Sequence, residues 1–370
     1  MHMSQPISSA IAATAARLPE FIEVHRSRSD VTFVNHVRAK RKAIADRASL
    51  KKRIYLDTNA WKCMASYRQR KPSLTPAMTC FGKVLEQAAQ SGEFVFPIGL
   101  PTFFELDSMT HPTTRTTITD LVDELSQGLC IVPFQERIGN ELRKLHSDDL
   151  NTPDALEDFL CSPIELLGIP EISQAECLKT YADENTFNKA FFDSVSLLPF
   201  SLQLEVACFA PGAKWDNSQG IADLNSGKDE HQTKVVNLNT GIFLELKGCI
   251  GTWFDEEGVV VSPRYIDFCA ITALHHWHEK PTSRALPTLR ILSSLYGLMR
   301  LDSQRRYRAG DTNDFMVAAS ALPVVQALFT DRKLANLLPN SRIGLSNAWD
   351  CILVSGFDEM AKYLADQLAT

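Results

Sequence analysis

Long apolar segments are missing from this sequence of 370 residues. No apolar run approaches the roughly 20 residues that a membrane-spanning helix needs, and the first residues lack the apolar stretch of a secretory signal peptide. We therefore expect no membrane contact and a cytoplasmic location. Hydrophobic residues make up 45% of the chain, which is enough to bury one large core or two modest ones.

Paired cysteines and a common nucleophile motif are also absent. The nine cysteines form no Cys-x-x-Cys pair, which favours reduced thiols over a disulfide framework or a zinc knuckle. No Gly-x-Ser-x-Gly segment marks a hydrolase nucleophile. The neighbouring residues His275, His276, His278 and Glu279 have no second ligand pair elsewhere in the sequence, so we expect them to have a structural or surface role.

The sequence has no excess of positive charge, because 38 lysines and arginines face 44 acidic residues and the net charge is -6. Any contact with nucleic acid must therefore come from local basic patches. One such patch is residues 38–53, with eight basic residues and the single acid Asp46. Another is Arg305, Arg306 and Arg308. A charge run by itself is typical of a solvated helix face.

Two aspartates follow predicted buried strands. Residues 54–56 form a short apolar strand that ends at Asp57, and residues 327–330 form another that ends at Asp331. Every loop that leaves a parallel strand opens on the same side of an α/β sheet, and ligands bind there. We therefore expect Asp57 and Asp331 to lie together at the carboxyl edge of a sheet.

Two further acids are predicted in the first turns of helices. Pro101 and Thr102 indicate a helix start that places Glu105 in a first turn, and Asp314 opens the run of small residues 314–321. Asp311, three residues earlier, is an additional or substitute candidate.

Each acid also has a structural interpretation. Thr102 and Glu105 have the spacing of a capping box, Asp331 could be a plain N-cap, and Asp314 could complement the helix dipole. Capping and metal binding are compatible in one residue. Because all four acids are expected at one sheet edge, we favour a shared site.

These segments resemble the PIN-domain family of metal-dependent ribonucleases. The resemblance rests on Asp57 after Ile54-Tyr55-Leu56, Glu105 before Leu106, the run 314–321, and Phe329-Thr330-Asp331-Arg332. The strand-like residues 129–133, with the helical pattern after them, and residues 351–354 also resemble scaffold elements of that family. The resemblance implies an α/β fold with a doubly wound, mostly parallel sheet. It also implies cleavage products that carry a 5′-phosphate and a 3′-hydroxyl.

The chain is longer than a compact domain of this family. We expect an N-terminal helical, basic extension over residues 1–50, a PIN-like domain over 51–146 and 305–370, and a mostly helical insertion over 147–304. Within the insertion, leucines from Leu289 to Leu298 recur at helical spacing, with Arg290 and Arg300 outside that stripe. The following segments are expected to be turns or a mobile loop: Pro211-Gly212, residues 225–230 and residues 239–241.

Four carboxylates suit Mg²⁺ or Mn²⁺, which prefer hard oxygen ligands. Two such ions about 4 Å apart could bind the attacking and leaving oxygens of a phosphodiester. We expect Asp57 and Asp331 to be direct ligands, and Glu105 and Asp314 to bind directly or through water. The other candidates are expected to orient a carboxylate or to contact phosphate: Thr58, Asn59, Thr330, Arg332, Lys40, Arg41, Lys42, Arg305, Arg306 and Arg308.

The sequence thus predicts a metal-dependent nuclease that acts on single-stranded or structured RNA. A second hypothesis keeps the fold without catalysis: a regulatory or scaffolding protein whose insertion binds a partner. Homo-oligomer formation is compatible with both hypotheses. A phosphatase of the haloacid dehalogenase type is disfavoured, because that chemistry needs a second aspartate two positions after Asp57, where this chain has Asn59.

Overall fold

The computed structural model describes residues 5–168, 182–209 and 218–369, and most of these residues are helical. The helices are α1 (Gln5–Arg26), α2 (Phe33–Ser49), α3 (Thr58–Arg68), α4 (Pro76–Ser91), α5 (Leu100–Ser108), α6 (Pro112–Ser126), α7 (Phe134–His146), α8 (Pro163–Leu166), α9 (Glu184–Ser196), α10 (Phe200–Phe209), α11 (Ser218–His231), α12 (Leu238–Glu256), α13 (Pro263–Glu279), α14 (Pro287–Leu301), α15 (Ala309–Ala321), α16 (Arg332–Leu337) and α17 (Phe357–Leu368).

The strands form a small parallel sheet and a separate antiparallel pair. They are β1 (Lys52–Leu56), β2 (Phe94–Val95), β3 (Cys130–Ile131), β4 (Leu160–Cys161), β5 (Ala327–Thr330) and β6 (Ile352–Ser355). The parallel sheet has four strands in the order β2-β1-β5-β6. The other two strands, β3 and β4, pair antiparallel. The predicted α/β class is therefore confirmed.

Side chains on the two faces of the sheet pack into two different hydrophobic cores. Tyr55 and Leu328 point into a core shared with α7, α12, α13, α14 and α15. Their neighbours Leu56 and Phe329 point into a core shared with α3, α4, α6 and α17. Since side chains alternate between the faces of a strand, a strand covered on both faces reads as an uninterrupted apolar run. This is why both strands could be recognised in the sequence.

Local signals define the helix that leads into β2. Thr75 caps α4 by accepting a hydrogen bond from Met78 N–H at 3.2 Å, and Pro76 takes the first helical position. Gly92 ends the helix in the left-handed conformation, with φ of 76°. The chain then turns directly into the strand.

Two helices of the predicted insertion pack against each other through glycines. Helices α12 and α14 cross closely where Gly241 faces Gly297; a Cβ atom on Gly241 would lie 2.8 Å from the carbonyl oxygen of Gly297. The expected turn at residues 239–241 was therefore wrong, because these residues lie within α12 and the glycine permits close packing instead. Residues 225–230 were also wrongly expected to be a loop; they belong to α11. Pro211-Gly212 lies outside the described residues.

Two arginines of α14 lie outside the leucine stripe but not in solvent. Arg290 donates to the carbonyl oxygens of Pro281, at 2.7 Å, and Ser283. Arg300 pairs with Glu245 of α12 and donates to a carbonyl oxygen of α11 at 3.0 Å. Both arginines are buried, so α14 is covered almost all round by neighbouring segments.

None of the described helices is both long enough and apolar enough to cross a membrane.

The contact between α12 and α14 predicts opposite effects for the same substitution at two glycines of α12. Gly241→Ala should lower the free energy of unfolding by about 1–3 kcal/mol, because the added methyl group would meet the backbone of α14. Gly248→Ala should raise it by about 0.5–1 kcal/mol, because that position is exposed and has no atom within 4 Å of an added Cβ. Urea denaturation of both variants measures this difference, and equal effects would contradict the packing role of Gly241.

Candidate metal centre

Asp57 and Asp331 lie side by side at the carboxyl ends of adjacent parallel strands. Asp57 N–H donates to the carbonyl oxygen of Phe329 at 3.0 Å, which extends the β1–β5 ladder to the end of the strand. Each aspartate then caps the helix that follows. The carboxylate of Asp57 accepts from Ala60 N–H at 3.0 Å, and that of Asp331 accepts from Leu334 N–H at 2.9 Å. The N-cap interpretation of Asp331 is confirmed. In both aspartates only one carboxylate oxygen accepts the cap bond, which leaves the second oxygen outside it.

The environment of Asp57 disfavours its negative charge. The residue is 8% exposed. Burial raises its pKa to about 6; the hydrogen bond from Ala60 N–H opposes the rise, the charge of Asp331 adds to it, and the Thr330 hydroxyl donates to the carboxylate. An acid kept at higher energy by burial and by a like charge would be stabilised by a bound cation.

Asp314 meets the same edge from helix α15. The helix begins at Ala309, so Asp314 lies in the second turn and not in the first. The dipole interpretation therefore does not apply to it, since that effect fades beyond the first turn. Burial raises the pKa of Asp314 to about 6; the Lys333 ammonium opposes the rise, and the Asp331 carboxylate reinforces it.

Glu105 lies in the second turn of α5, because that helix begins at Leu100. The predicted capping box does not form: Gly99 is the N-cap, and the Thr102 hydroxyl instead shares a hydrogen bond of 3.0 Å with the Tyr55 hydroxyl. The Glu105 carboxylate accepts a hydrogen bond from the Asn313 side chain, which links it to the residue next to Asp314. It therefore faces α15 and does not serve its own helix.

Asp311 is buried in contacts with protein cations. One carboxylate oxygen pairs with Lys333 and, at 3.2 Å, with Arg305, and the other accepts from Arg308 N–H at 2.9 Å. Burial alone would raise the pKa of Asp311, but the hydrogen bonds from Lys333 and Arg308 N–H hold it below its usual value. With 1% exposure and both oxygens bonded, Asp311 is a poorer candidate ligand than the other four acids.

The donor set suits a hard divalent ion that keeps part of its water shell. Four carboxylates approach from two strand ends and two helices, and two of them carry charge that burial opposes. Across the described ranges, however, the only group of three or more such side chains close enough together to hold an ion is His25, His36 and Asp193, away from this edge. An ion at the acidic edge would therefore need water to reach some of the four carboxylates, as Mg²⁺ commonly does.

A cavity of about 450 Å³ opens beside the two capping aspartates. Its lining includes Asn59, Thr330 and Arg332, three of the residues expected to contact substrate, together with the start of α17. Thr58, by contrast, is buried in the first turn of α3. Sites for small ligands span about 300–1,000 Å³, so the cavity has room for a nucleotide-sized group.

The basic residues of α2 are held by acids of other segments or of their own helix. Lys40 pairs with Asp193 at 3.0 Å, and Lys42 with Asp46 at 3.3 Å. Arg41 pairs with Glu136 at 2.7 Å and with Glu165 at 2.6 Å.

In the second basic segment, Arg305, Arg306 and Arg308, only the side chain of Arg305 is shown in contact with a candidate acid. Arg305 contacts Asp311, as described above, and Arg306 pairs with Asp229 of α11 at 2.6 Å. Arg308 is the N-cap of α15, where its backbone N–H bonds Asp311.

No family model, curated protein or solved structure matches this chain.

Three residues at this edge were missed from the sequence. Lys333 bridges Asp311 and Asp314, at 3.4 Å from the latter; Lys62 lies 3.8 Å from Glu105; and Asn313 donates to Glu105. Two of them could have been identified from helical position. Lys333 and Lys62 follow the capping aspartates Asp331 and Asp57 within the first turn or so of α16 and α3, on the helix ends that open at the same edge.

The raised pKa of Asp57 predicts that removing its charge stabilises the fold, and that this gain in stability depends on pH. Its pKa is 3.8 in an unperturbed state and about 6 here, so the stability due to the protonated form is complete below about pH 4 and is lost as pH rises through about 6. Asp57→Asn should therefore raise the melting temperature of the metal-free protein by about 2 °C or more at pH 7.5, and by less at pH 5. Asparagine keeps the N-cap.

The control for this measurement is Asp183→Asn. Asp183 caps α9 by accepting from Thr186 N–H at 2.9 Å, and this bond lowers its pKa. That variant should gain no stability at either pH. Thermal denaturation at the two pH values distinguishes the cases, and a gain for Asp57→Asn that does not change with pH would refute the electrostatic explanation.

Proposed function

We propose that this protein is a metal-dependent ribonuclease of PIN type, acting in the cytoplasm through an acidic centre of Asp57, Glu105, Asp314 and Asp331. The observation that carries the proposal is the pair of N-cap aspartates on adjacent parallel strands, next to a cavity that Arg332 also lines. Parallel strand ends are where α/β proteins bind ligands. Carboxylates whose charge is opposed by burial are typical of functional sites.

Bound Mg²⁺ or Mn²⁺ would supply the positive charge that screens a phosphodiester and would lower the pKa of a water molecule. Asp57 and Asp331 would hold the ion, since each has a carboxylate oxygen outside its cap bond. Glu105 and Asp314 would hold it directly or through water. Asn313 fixes the orientation of Glu105, and the Thr330 hydroxyl fixes that of Asp57.

Substrate would bind in the cavity that Asp57 and Asp331 line. The guanidinium of Arg332 is suited to bidentate contact with a phosphate, and Asn59 and Lys62 line the same cavity. The phosphodiester would then present its scissile bond to the acidic centre, and hydrolysis would leave a 5′-phosphate and a 3′-hydroxyl.

A catalytically silent scaffold is the second candidate, and Lys333 favours it. Its ammonium group pairs with Asp311 and lies 3.4 Å from Asp314, so a cation of the protein already neutralises part of the acidic centre. The side chain is 43% exposed, however, and can move into solvent if a metal ion displaces it. The two candidates differ in whether added metal produces cleavage.

Removal of one ligand charge should abolish cleavage without loss of the fold. Asp57→Asn and Asp331→Asn should each reduce Mn²⁺-dependent cleavage of labelled single-stranded RNA by about 100-fold or more. Loss of a residue that only hydrogen-bonds a metal ligand typically costs about 10–100-fold in activity, and loss of a direct ligand should cost more. Both asparagines still cap their helices. The measurement is single-turnover cleavage with Mn²⁺ or with EDTA.

Asp183→Asn, an N-cap aspartate of α9, is the matched control and should cleave at the wild-type rate. If the wild type cleaves no RNA with either Mg²⁺ or Mn²⁺, the scaffold is the correct alternative. If Asp57→Asn cleaves as fast as the wild type, the assignment of the centre is wrong.

The salt dependence of RNA binding tests which cations contact phosphate. The logarithm of the binding constant falls with the logarithm of the salt concentration. Arg332→Gln should make this dependence shallower by about 0.7, the value for one phosphate contact on a single strand. Arg284→Gln should leave it unchanged, because Arg284 pairs with Asp350, ahead of β6 at the opposite end of the sheet. Binding is measured over a salt series with Ca²⁺ as a non-cleaving ion.

The basic run of α2 is tested in the same series with Lys42→Gln, because Lys42 is 61% exposed. Arg41 is unsuitable, since its loss would leave the buried Glu165 without a cationic partner. A lower slope for Lys42→Gln would support phosphate contact by this run. An unchanged slope would leave it as a solvated helix face.

A further inference from the structure

Three helices outside the acidic centre meet at a compact group of side chains. His25 comes from the end of α1, His36 from α2 and Asp193 from α9. The Nε2 atom of His25 lies 3.1 Å from one oxygen of Asp193, and the Nε2 atom of His36 lies 2.9 Å from the other. The two imidazole rings stand edge to face, with centroids 4.8 Å apart.

The group is shielded from water. His25 is 2% exposed, His36 is 8% exposed, and the side chain of Asp193 is 11% exposed. The Nδ1 atom of His25 is buried without a hydrogen-bond partner.

The donor atoms have the identity and spacing of a zinc site. Imidazole nitrogen and carboxylate oxygen bind Zn²⁺ at about 2.0–2.2 Å in tetrahedral geometry, which puts neighbouring ligand atoms roughly 3.4 Å apart. The two nitrogens lie 3.1 and 2.9 Å from different oxygens of Asp193, and one ligand atom from each of the three residues lies within 4.8 Å of the others. Small movements of side chains would complete the set.

We propose that His25, His36 and Asp193 bind one Zn²⁺ ion, with water as the fourth ligand. The ammonium group of Lys40 lies 3.0 Å from the Asp193 oxygen that His36 also contacts, so Lys40 would have to give way to the ion. Its side chain is 46% exposed, so it can swing into solvent when the metal ion enters.

The ion would fasten the N-terminal helices to α9. Apart from this group, α1 packs on α9 through a hydrophobic cluster centred on Ile22, Phe187 and Ala190, separate from the two cores of the sheet. Lys189 of α9 also donates to carbonyl oxygens between α1 and α2, those of Arg28 at 2.6 Å and Val31 at 2.7 Å. A bound ion would add to these contacts, since a ligand that binds only the folded state stabilises it. The acidic centre takes no part in this site, so its chemistry and the proposed nuclease activity can fail or succeed independently.

Cobalt titration tests the proposal, because tetrahedral Co²⁺ with nitrogen ligands absorbs visible light much more strongly than octahedral Co²⁺ with oxygen ligands. The full chain is first stripped with a chelator and then titrated with Co²⁺. We expect an intense visible band that saturates at about one Co²⁺ per chain and is removed by Zn²⁺. Zinc should also raise the melting temperature of the stripped protein.

Four variants make the result specific. His25→Gln and His36→Gln keep a hydrogen-bond donor for Asp193 but remove a ligand, so each should lose the band while circular dichroism shows that helix content is kept. His275→Gln changes a histidine that is 68% exposed on α13, and Asp57→Asn changes the acidic centre; both should keep the band. If His36→Gln does not fold, His25→Gln alone decides.

An absence of the band in the wild type would overturn the proposal and leave a hydrogen-bonded bridge. Persistence of the band in both His25→Gln and His36→Gln would overturn it as well. A band lost only in Asp57→Asn would place the ion at the acidic centre and equally refute the His–His–Asp site.

Discussion

The parallel pairing of β1 with β5 is the constraint on which the candidate metal centre depends. Ile54 is opposite Ala327 and Leu56 is opposite Phe329, and every one of these side chains is almost completely buried. Strands that are covered on both faces cannot slide by one residue without turning every side chain to the wrong core. The hydrophobic packing therefore fixes the register, and the register places the capping aspartates next to each other.

That placement has an electrostatic cost, and the protein offsets only part of it. Asp57 and Asp314 are both destabilised as anions by burial and by the neighbouring Asp331. Lys333 compensates the charge on the Asp311–Asp314 side of the centre, whereas Asp57 receives hydrogen bonds from Ala60 N–H, Asn59 N–H and the Thr330 hydroxyl. The uncompensated charge thus lies at the strand ends, where the cavity opens and where a divalent ion would be most favourable.

Features encoded over short stretches of sequence were predictable. Both strand ends could be located because an apolar run stops at an aspartate that also caps the next helix, a purely local signal. Helix starts were less accurate: α15 begins five residues before Asp314, so the acid expected in the first turn lies in the second. The start at Ala309 depends on Asp311 bonding to Arg308 N–H, an interaction that the sequence pattern did not single out.

Features that depend on distant segments were not predictable. Gly241 was interpreted as a turn residue, but it serves the approach of α14, which is more than forty residues away in sequence. Arg290 and Arg300 suggest a polar helix face, yet carbonyl groups and Glu245 of other helices surround them. His25 and Asp193 are separated by 168 residues, so no local spacing could have indicated the proposed zinc site.

The two proposed sites are connected through α2 and β1. Helix α2 is followed almost directly by β1. Arg53 of β1 donates to the carbonyl oxygen of Ala48, at the end of α2, at 3.0 Å, and to that of Val324, ahead of β5, at 2.9 Å. Arg41 and the proposed zinc ion would hold the rest of the helix against α7, α8 and α9. Arg41 is therefore engaged with acids of the protein, and the more exposed Lys40 and Lys42 pair with Asp193 and Asp46. Contact with phosphate is therefore better assigned to Arg332 and Lys62, which line the cavity at the strand ends.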